Sequence, residues 1–293
     1  AAFMTEPPEA SSNQVVPKPS VQSVLDLLEV AIDARAGLID EQRESALRLF
    51  NGFYEGCPEL VIDLYARTVI IFEYAQESEL FQPVVRAVQE YLFHRFPWLN
   101  AAILKMRKAS NPLLRRGIIL AGEKPDLKIS EHGVWYAIDP LISQDASFYL
   151  DTRELRAWAI QNTANKRVLN TFAYTGSLGI AARAGGAIQV VQMDRNRLYL
   201  NLAQASYSLN GFNIDRRDFG ACALLVVPSA GEKDCSSYRI IPKKAATTMT
   251  RMGLSFSQNK PAAIIAWMAF LRFLIEVLPK DKVALETRAT TMT

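Results

Sequence analysis

The chain has 293 residues, of which 49% are apolar and 22% are charged, an ordinary composition for a globular protein with a substantial core. Its formal net charge of +3 is compatible with a nucleic-acid partner but does not require one. The three scattered cysteines form no C-x-x-C pair and there are only two histidines, which argues against a disulfide framework, a metal site and a histidine-based triad.

The first 45 residues predict a leader followed by helix. Residues 1–20 combine four prolines with Ser, Glu and Gln and predict a disordered leader. They contain no apolar signal core after a basic start, so we expect a reducing, cytoplasmic location. The apolar stripe within residues 24–32 predicts an amphipathic helix that runs toward Arg35. Asp40 is a candidate cap for a second helix over residues 41–44.

Residues 46–121 predict a small α+β domain, so that residues 21–130 comprise a helical lead-in and this domain. Alternating apolar patterns predict strands over residues 46–50, 60–65, 69–74, 102–107 and 118–121, with a helix over residues 80–95. Basic residues cluster around the last two strands, namely Lys105, Arg107, Lys108, Arg115 and Arg116. They fit a phosphate-contacting patch and fit a solvated loop equally well.

Residues 132–194 contain the pattern with the clearest chemical meaning. A strand over residues 132–139 and a helix over residues 154–161 precede a short apolar strand at Val168. A turn over residues 170–176, a helix over residues 177–183 and a second strand that ends on Asp194 then complete a βαβ unit. Such a unit either binds a nucleotide-type cofactor or is an ordinary crossover without a ligand.

The turn of this unit discriminates between cofactors. A dinucleotide fold requires G-x-G-x-x-G, so that a pyrophosphate can approach the helix. Here only Gly176 and Gly179 occupy the turn, and the bulky Phe172 and Tyr174 precede them. The crowded turn disfavours a pyrophosphate and suits an uncharged thioether with an amino-acid tail, while Asp194 is placed to accept from ribose hydroxyls.

Two segments carry a family resemblance that covers roughly residues 47–219. Residues 170–176 (N-T-F-A-Y-T-G) and 147–153 (S-F-Y-L-D-T-R) resemble the class I S-adenosylmethionine (SAM)-dependent methyltransferases, in the branch related to the large-subunit ribosomal RNA cytosine-5 methyltransferases. The resemblance implies an α/β fold, with a Rossmann-like class I methyltransferase sheet after the small α+β domain. It makes residues 131–219 the SAM-binding half.

The resemblance also implies a cofactor site, although no catalytic residue is assigned. Arg153 is the implied partner for the carboxylate of SAM, since a guanidinium binds carboxylates bidentately. The implied cofactor-binding residues are Tyr149, Asp151, Arg153, Asn170, Phe172, Tyr174, Thr175, Gly176, Asp194 and Arg195.

Beyond residue 219 the chain departs from the family. The family's Asp-Pro-Pro loop occurs nowhere in the sequence, and Cys235 lies outside any matching motif, so the sheet is expected to be incomplete in the divergent segment 220–293. Residues 228–260 predict a loop or a disordered segment, and residues 261–278 predict a helix that covers the edge or core of the sheet. Two charged residues in the second segment argue against a membrane span. The abrupt change suggests a shifted reading frame, an alternative exon or a gene-model error, and it predicts poor methyl transfer.

Three functions stay open. The first is a SAM-dependent methyltransferase whose substrate is RNA, with a base of ribosomal RNA as the expected target and neither membrane nor metal involved. The second is a SAM- or RNA-binding protein that has lost catalysis, and the third is a NAD-type dehydrogenase. Methyl transfer, SAM affinity without transfer, or nicotinamide affinity would separate them. The target nucleotide and the oligomeric state are not specified by the sequence.

Overall fold

A computed structural model describes residues 20–221 and, as backbone only, three short strands at residues 225–228, 238–241 and 274–278. The predicted leader and most of the divergent segment lie outside the described residues. The helices are α1 (Val21–Arg35), α2 (Ser78–Arg95), α3 (Pro112–Arg116), α4 (Arg153–Asn162), α5 (Ser177–Ala184) and α6 (Arg197–Leu209). None of the helices in these residues is long and apolar enough to cross a membrane.

The amino-terminal part is a five-stranded sheet in the order β1-β2-β3-β4-β5. Its strands are β1 (Ala46–Phe50), β2 (Leu60–Tyr65), β3 (Thr68–Glu73), β4 (Ala101–Met106) and β5 (Ile118–Gly122). The predicted strands and the helix between β3 and β4 are confirmed. Because α2 crosses over from β3 to β4, these two strands are parallel, whereas the other neighbours in this sheet are antiparallel.

The helix α1 forms where the apolar stripe predicts it. Val24, Leu28, Ala31 and Ile32 are buried, which is the spacing of one helical face, and they pack with α2 against the sheet. The second predicted helix is wrong. Asp40 instead accepts hydrogen bonds from the backbone N–H groups of Glu44 at 2.9 Å and Ser45 at 3.0 Å, because the chain has only a short turn before β1 begins.

The opposite face of the five-stranded sheet packs on the carboxyl-terminal part. The Tyr65, Ile70 and Phe72 side chains share one buried cluster with Ile180 and Tyr207. A hairpin of β6 (Lys128–Glu131) and β7 (Val134–Ala137) lies between the two parts, and its first strand was not predicted. The cluster brings residues 147–153 against the βαβ unit, which is what assembles the site.

The second sheet has the order β10-β9-β8-β13. Its strands are β8 (Arg167–Thr171), β9 (Gln189–Asp194), β10 (Phe219–Ala221) and β13 (Leu274–Leu278). The strands β8 and β9 are parallel and are joined by α5, so the predicted βαβ unit is confirmed. On the far side, β10 pairs in parallel with β9 and places Ala221 opposite Asp194.

Two predictions for the divergent segment are corrected. The strand β13 pairs antiparallel with β8, with Leu274 opposite Thr171, so the helix predicted over residues 261–278 is wrong in its last five residues. A ladder is favourable there because the edge of β8 would otherwise present unpaired backbone groups. Residues 261–273 lie outside the described residues. The strand β12 (Tyr238–Ile241) lies within residues 228–260, which were predicted as a loop or disordered segment, and it pairs antiparallel with β11 (Leu225–Pro228).

Candidate cofactor site

A cavity of about 290 Å³ lies at the carboxyl-terminal ends of β8 and β9. In parallel α/β sheets this edge is where ligands bind. The cavity is lined by Tyr149, Thr152, Asn170, Phe172, Ala173, Tyr174, Ser177, Leu178 and Asp194. Five of these were predicted from the sequence, namely Tyr149, Asn170, Phe172, Tyr174 and Asp194.

The loop that forms one wall has an unusual backbone. Phe172 and Tyr174 have φ angles of +57° and +52°, a left-handed conformation that costs a side-chain-bearing residue on the order of 1–3 kcal/mol. Two contacts with the end of β9 hold it. The N–H of Ala173 donates to the carbonyl of Met193 at 2.8 Å, and the N–H of Tyr174 donates to Oδ2 of Asp194 at 2.8 Å. These two hydrogen bonds to β9 therefore hold the loop in its strained backbone conformation.

The carboxylate of Asp194 is fixed on both sides. Oδ2 accepts from Tyr174, and Oδ1 accepts from the N–H of Asn196 at 2.8 Å. Each carboxylate oxygen has two acceptor positions, so with respect to the described residues one position on each oxygen is left for a ligand. Two fixed acceptors on one carboxylate suit a pair of adjacent hydroxyl groups, as in a ribose.

Asn170 supplies a further acceptor. Its side chain is 1% exposed, and its Nδ2 donates to Oε1 of Gln192 at 2.9 Å. Its Oδ1 is buried and has no hydrogen-bond partner within the described part of the chain. A buried acceptor without a partner costs about 1–3 kcal/mol, and Asn170 is one of the residues that line the cavity.

The turn glycines have a role that the sequence did not indicate. A Cβ atom at Gly179 would lie 2.5 Å from Cδ of Gln192, and one at Gly176 would lie 2.8 Å from Nε2 of the same side chain. Gly176, whose φ is +79°, is not among the residues that line the cavity. The two glycines therefore make room for Gln192, and Gly176 also makes room for Ala203, whose Cβ would lie 2.6 Å from a Cβ atom at that position.

Aromatic rings support the part of the wall that Tyr149 and Tyr174 form. The ring of Tyr174 lies 5.0 Å from that of Tyr149 and 4.5 Å from that of Tyr199, centroid to centroid. The hydroxyl of Tyr174 lies 3.4 Å from Oγ of Ser143. Burial raises the pKa of Tyr174, so its phenol stays neutral at physiological pH. The cluster closes the cavity with a rigid apolar surface.

The most buried charged group near the cavity is Arg156, which the sequence analysis missed. Its guanidinium has no exposed surface and pairs bidentately with Glu131 at 2.6 and 3.0 Å. It also donates to the carbonyl of Tyr149 at 2.8 Å and to the hydroxyl of Thr152. Arg156 therefore holds two cavity-lining residues. The sequence does carry one sign of this burial. Arg156 precedes the buried Ala159 by three positions and therefore lies on the same face of the helix.

The other predicted residues lie around the cavity without lining it. The side chain of Arg153 is 43% exposed, and its Nε lies 3.9 Å from Oε2 of Glu131. Asp151 and Arg195 are exposed. The hydroxyl of Thr175 is buried and donates to the carbonyl of Ser147 at 2.6 Å, which ties the loop to the 147–153 segment. The carboxylate near Arg153 in this structure is therefore that of Glu131, whereas the resemblance implied the carboxylate of SAM.

Most basic side chains of the predicted phosphate-contacting patch make hydrogen bonds or ion pairs within the protein. Lys105 is fully buried and its Nζ donates to the carbonyls of Ser143, at 2.8 Å, and Arg116, so its prediction as a phosphate contact is wrong. Burial lowers the pKa of Lys105 to about 8. Arg107 pairs with Asp145 at 3.2 Å.

Within the described residues, no group of three or more His, Cys, Asp or Glu side chains is arranged to hold a metal.

The comparisons with known proteins point to one family. A sequence model for S-adenosylmethionine-dependent methyltransferases matches residues 104–235, which extends beyond residue 219, where the resemblance was expected to end. The ribosomal RNA large subunit methyltransferase I of Aeromonas salmonicida is 32% identical over 194 residues, covering 66% of this chain and 49% of that protein. Its namesake from Klebsiella pneumoniae is 28% identical, covering 66% and 48%. The chain thus spans about half the length of the curated relatives it matches.

Two solved structures share the fold. One is a Streptococcus mutans protein assigned to the SAM-dependent methyltransferases, with a TM-score of 0.60 and 23% identity over 69% of this chain and 52% of that one. The other is a protein assigned as a methyltransferase and complexed with SAH, with a TM-score of 0.59 and 23% identity over 69% and 51%. The chain has the α/β Rossmann-like fold of these structures and is similar, over residues 104–235, to the SAM-dependent methyltransferase family.

Proposed function

We propose that this chain binds S-adenosylmethionine in the cavity between the ends of β8 and β9 and acts as a SAM-dependent RNA methyltransferase. The observation that carries the proposal is the pairing, in one cavity, of a fixed carboxylate at Asp194 with a buried, unpartnered acceptor at Asn170. SAM has ribose hydroxyls for the first and an ammonium group for the second. The volume of about 290 Å³ is near the lower end of ordinary ligand sites.

The residues of the cavity would act by binding and orientation. Bound SAM supplies an electrophilic methyl group on a sulfonium. Asp194 would fix the ribose, while Phe172 and Tyr174 would exclude water from the sulfonium. Holding the methyl group in line with a nucleophile lowers the barrier by removing the entropy of encounter. No residue lining the cavity is assigned as an acid, base or nucleophile.

The substrate is proposed to be ribosomal RNA, in the cytoplasm. Support comes from relatives named as ribosomal RNA large subunit methyltransferases and from the mildly basic net charge of +3. The motif at residues 170–176 resembles that of the cytosine-5 branch, which makes a cytosine the proposed target base. A protein that binds SAM without methyl transfer is the second candidate, since the sequence lacks the Asp-Pro-Pro loop.

The test measures transfer of radiolabelled methyl groups from SAM to unmodified large-subunit ribosomal RNA. Asp194→Ala should reduce SAM affinity by about 1.5–3 kcal/mol, the cost of losing charge-assisted hydrogen bonds. Glu123→Ala, which removes an exposed acid outside the cavity, is the matched control and should bind SAM as the wild type does. Binding without transfer would select the second candidate, and absence of SAM binding would refute both.

A further inference from the structure

Gln192 is the residue around which the buried polar contacts of the site are arranged, although it does not line the cavity. Its side chain is fully buried on β9. Its Nε2 lies 3.2 Å from the carbonyl of Gly176, and its Oε1 lies 2.9 Å from Nδ2 of Asn170. A Cβ atom would lie 2.8 Å from this amide if it were added at Gly176 and 2.5 Å if it were added at Gly179, so both positions must be glycine for Gln192 to occupy this place.

The carbonyl of Gly176, the amide of Gln192 and the amide of Asn170 form a series of hydrogen bonds. The carbonyl at one end of the series determines which atom donates in each bond. A backbone carbonyl can only accept, so the atom of Gln192 that faces Gly176 must be the donor Nε2. The opposite atom is then the acceptor Oε1, which requires a donor from Asn170. Asn170 must therefore present Nδ2 to Gln192, and its Oδ1 is left as the atom without a partner.

We propose that Gln192 is a positioning residue that fixes the amide of Asn170 with its oxygen available to the ligand, so that the cavity selects a cationic ammonium group. This inference rests on the proposed function. Without Gln192, the amide of Asn170 could rotate by about 180° and present Nδ2, whose hydrogens repel an ammonium group. The turn glycines then serve the same purpose, because any side chain at Gly179 would displace Gln192.

The experiment compares two ligands by calorimetric titration. SAM carries the ammonium group and a sulfonium, whereas 5′-methylthioadenosine keeps the nucleoside, has a neutral thioether in place of the sulfonium and lacks the amino acid. Gln192→Met preserves side-chain length and removes both hydrogen bonds. It should weaken SAM binding about tenfold or more, the cost of a hydrogen bond to a charged group, and should leave the affinity for methylthioadenosine within about twofold, below the cost of a single hydrogen bond.

Two further variants separate positioning from packing. Gln192→Glu keeps the acceptor toward Asn170 and should retain the preference for SAM over methylthioadenosine. Adding Asn170→Asp to Gln192→Met should restore SAM binding, because a carboxylate accepts in either orientation. Equal weakening of both ligands, loss of both, or no change in either would overturn the inference. A wild-type chain that binds neither ligand would refute the proposed function instead.

Discussion

Replacing Arg156 by methionine should destabilise the fold strongly, and the structure gives the size of the effect. The guanidinium is fully buried and pairs bidentately with Glu131, which is 3% exposed. Removing one partner of a buried pair leaves an uncompensated charge and typically costs about 3–5 kcal/mol. Arg153 remains 3.9 Å from Glu131 and offsets part of this, so we expect the low end, about 3 kcal/mol.

The assay is urea unfolding followed by tryptophan fluorescence, with equal slopes required for comparison. The matched control is Arg153→Met, which removes a half-exposed arginine from the same carboxylate and should cost no more than about 1 kcal/mol. Combining Arg156→Met with Glu131→Met should recover about 1–2 kcal/mol, because the orphaned charge is gone. A cost below about 1 kcal/mol for Arg156→Met, or no recovery in the double variant, would refute the reasoning.

Two other predictions concern residues whose surroundings are unusual. The pKa of Lys105 is lowered by burial to about 8 from 10.5, so between these values the unfolded chain holds a proton that the folded chain has released. Stability relative to Lys105→Met should therefore rise by up to about 1.4 kcal/mol per pH unit above pH 8, and a flat difference in denaturation free energy from pH 7 to 9.5 would contradict this. Gly179→Ala gains up to about 1 kcal/mol of helix propensity but loses about 1–3 kcal/mol through overpacking on Gln192. A lower melting temperature is expected, with Gly37→Ala, which has nothing within 4 Å, as control; an unchanged or higher value would be the contrary result.

The βαβ unit and four of the cavity-lining residues within it, namely Asn170, Phe172, Tyr174 and Asp194, could be predicted because their signals are local. An apolar strand, a turn and a terminal acid follow one another within residues 167–194, and the carboxyl ends of parallel strands meet at one edge. The position of Tyr149 required the family resemblance, since residues 147–153 precede the unit and reach it only through the packing of the two sheets.

The residues that position the site could not be predicted in this way. Gln192 reads as a polar interruption in an apolar strand, and its partners Asn170 and Gly176 are 22 and 16 residues away. Arg156 depends on Glu131, 25 residues earlier. Pairing of β13 with β8 joins segments about 100 residues apart. The apolar residues of this segment have helical spacing, but tertiary contacts can favour a strand over the helix that local spacing predicts.

The central claim is that the cavity at the ends of β8 and β9 binds S-adenosylmethionine, and calorimetric titration of the wild-type chain with SAM and with NADH tests it most directly. The crowding by Phe172 and Tyr174, together with the acceptors of Asn170 and Asp194, predicts saturable binding of SAM at one site per chain, with much weaker binding of NADH. Tighter binding of NADH, or no heat of binding with SAM, would contradict the account.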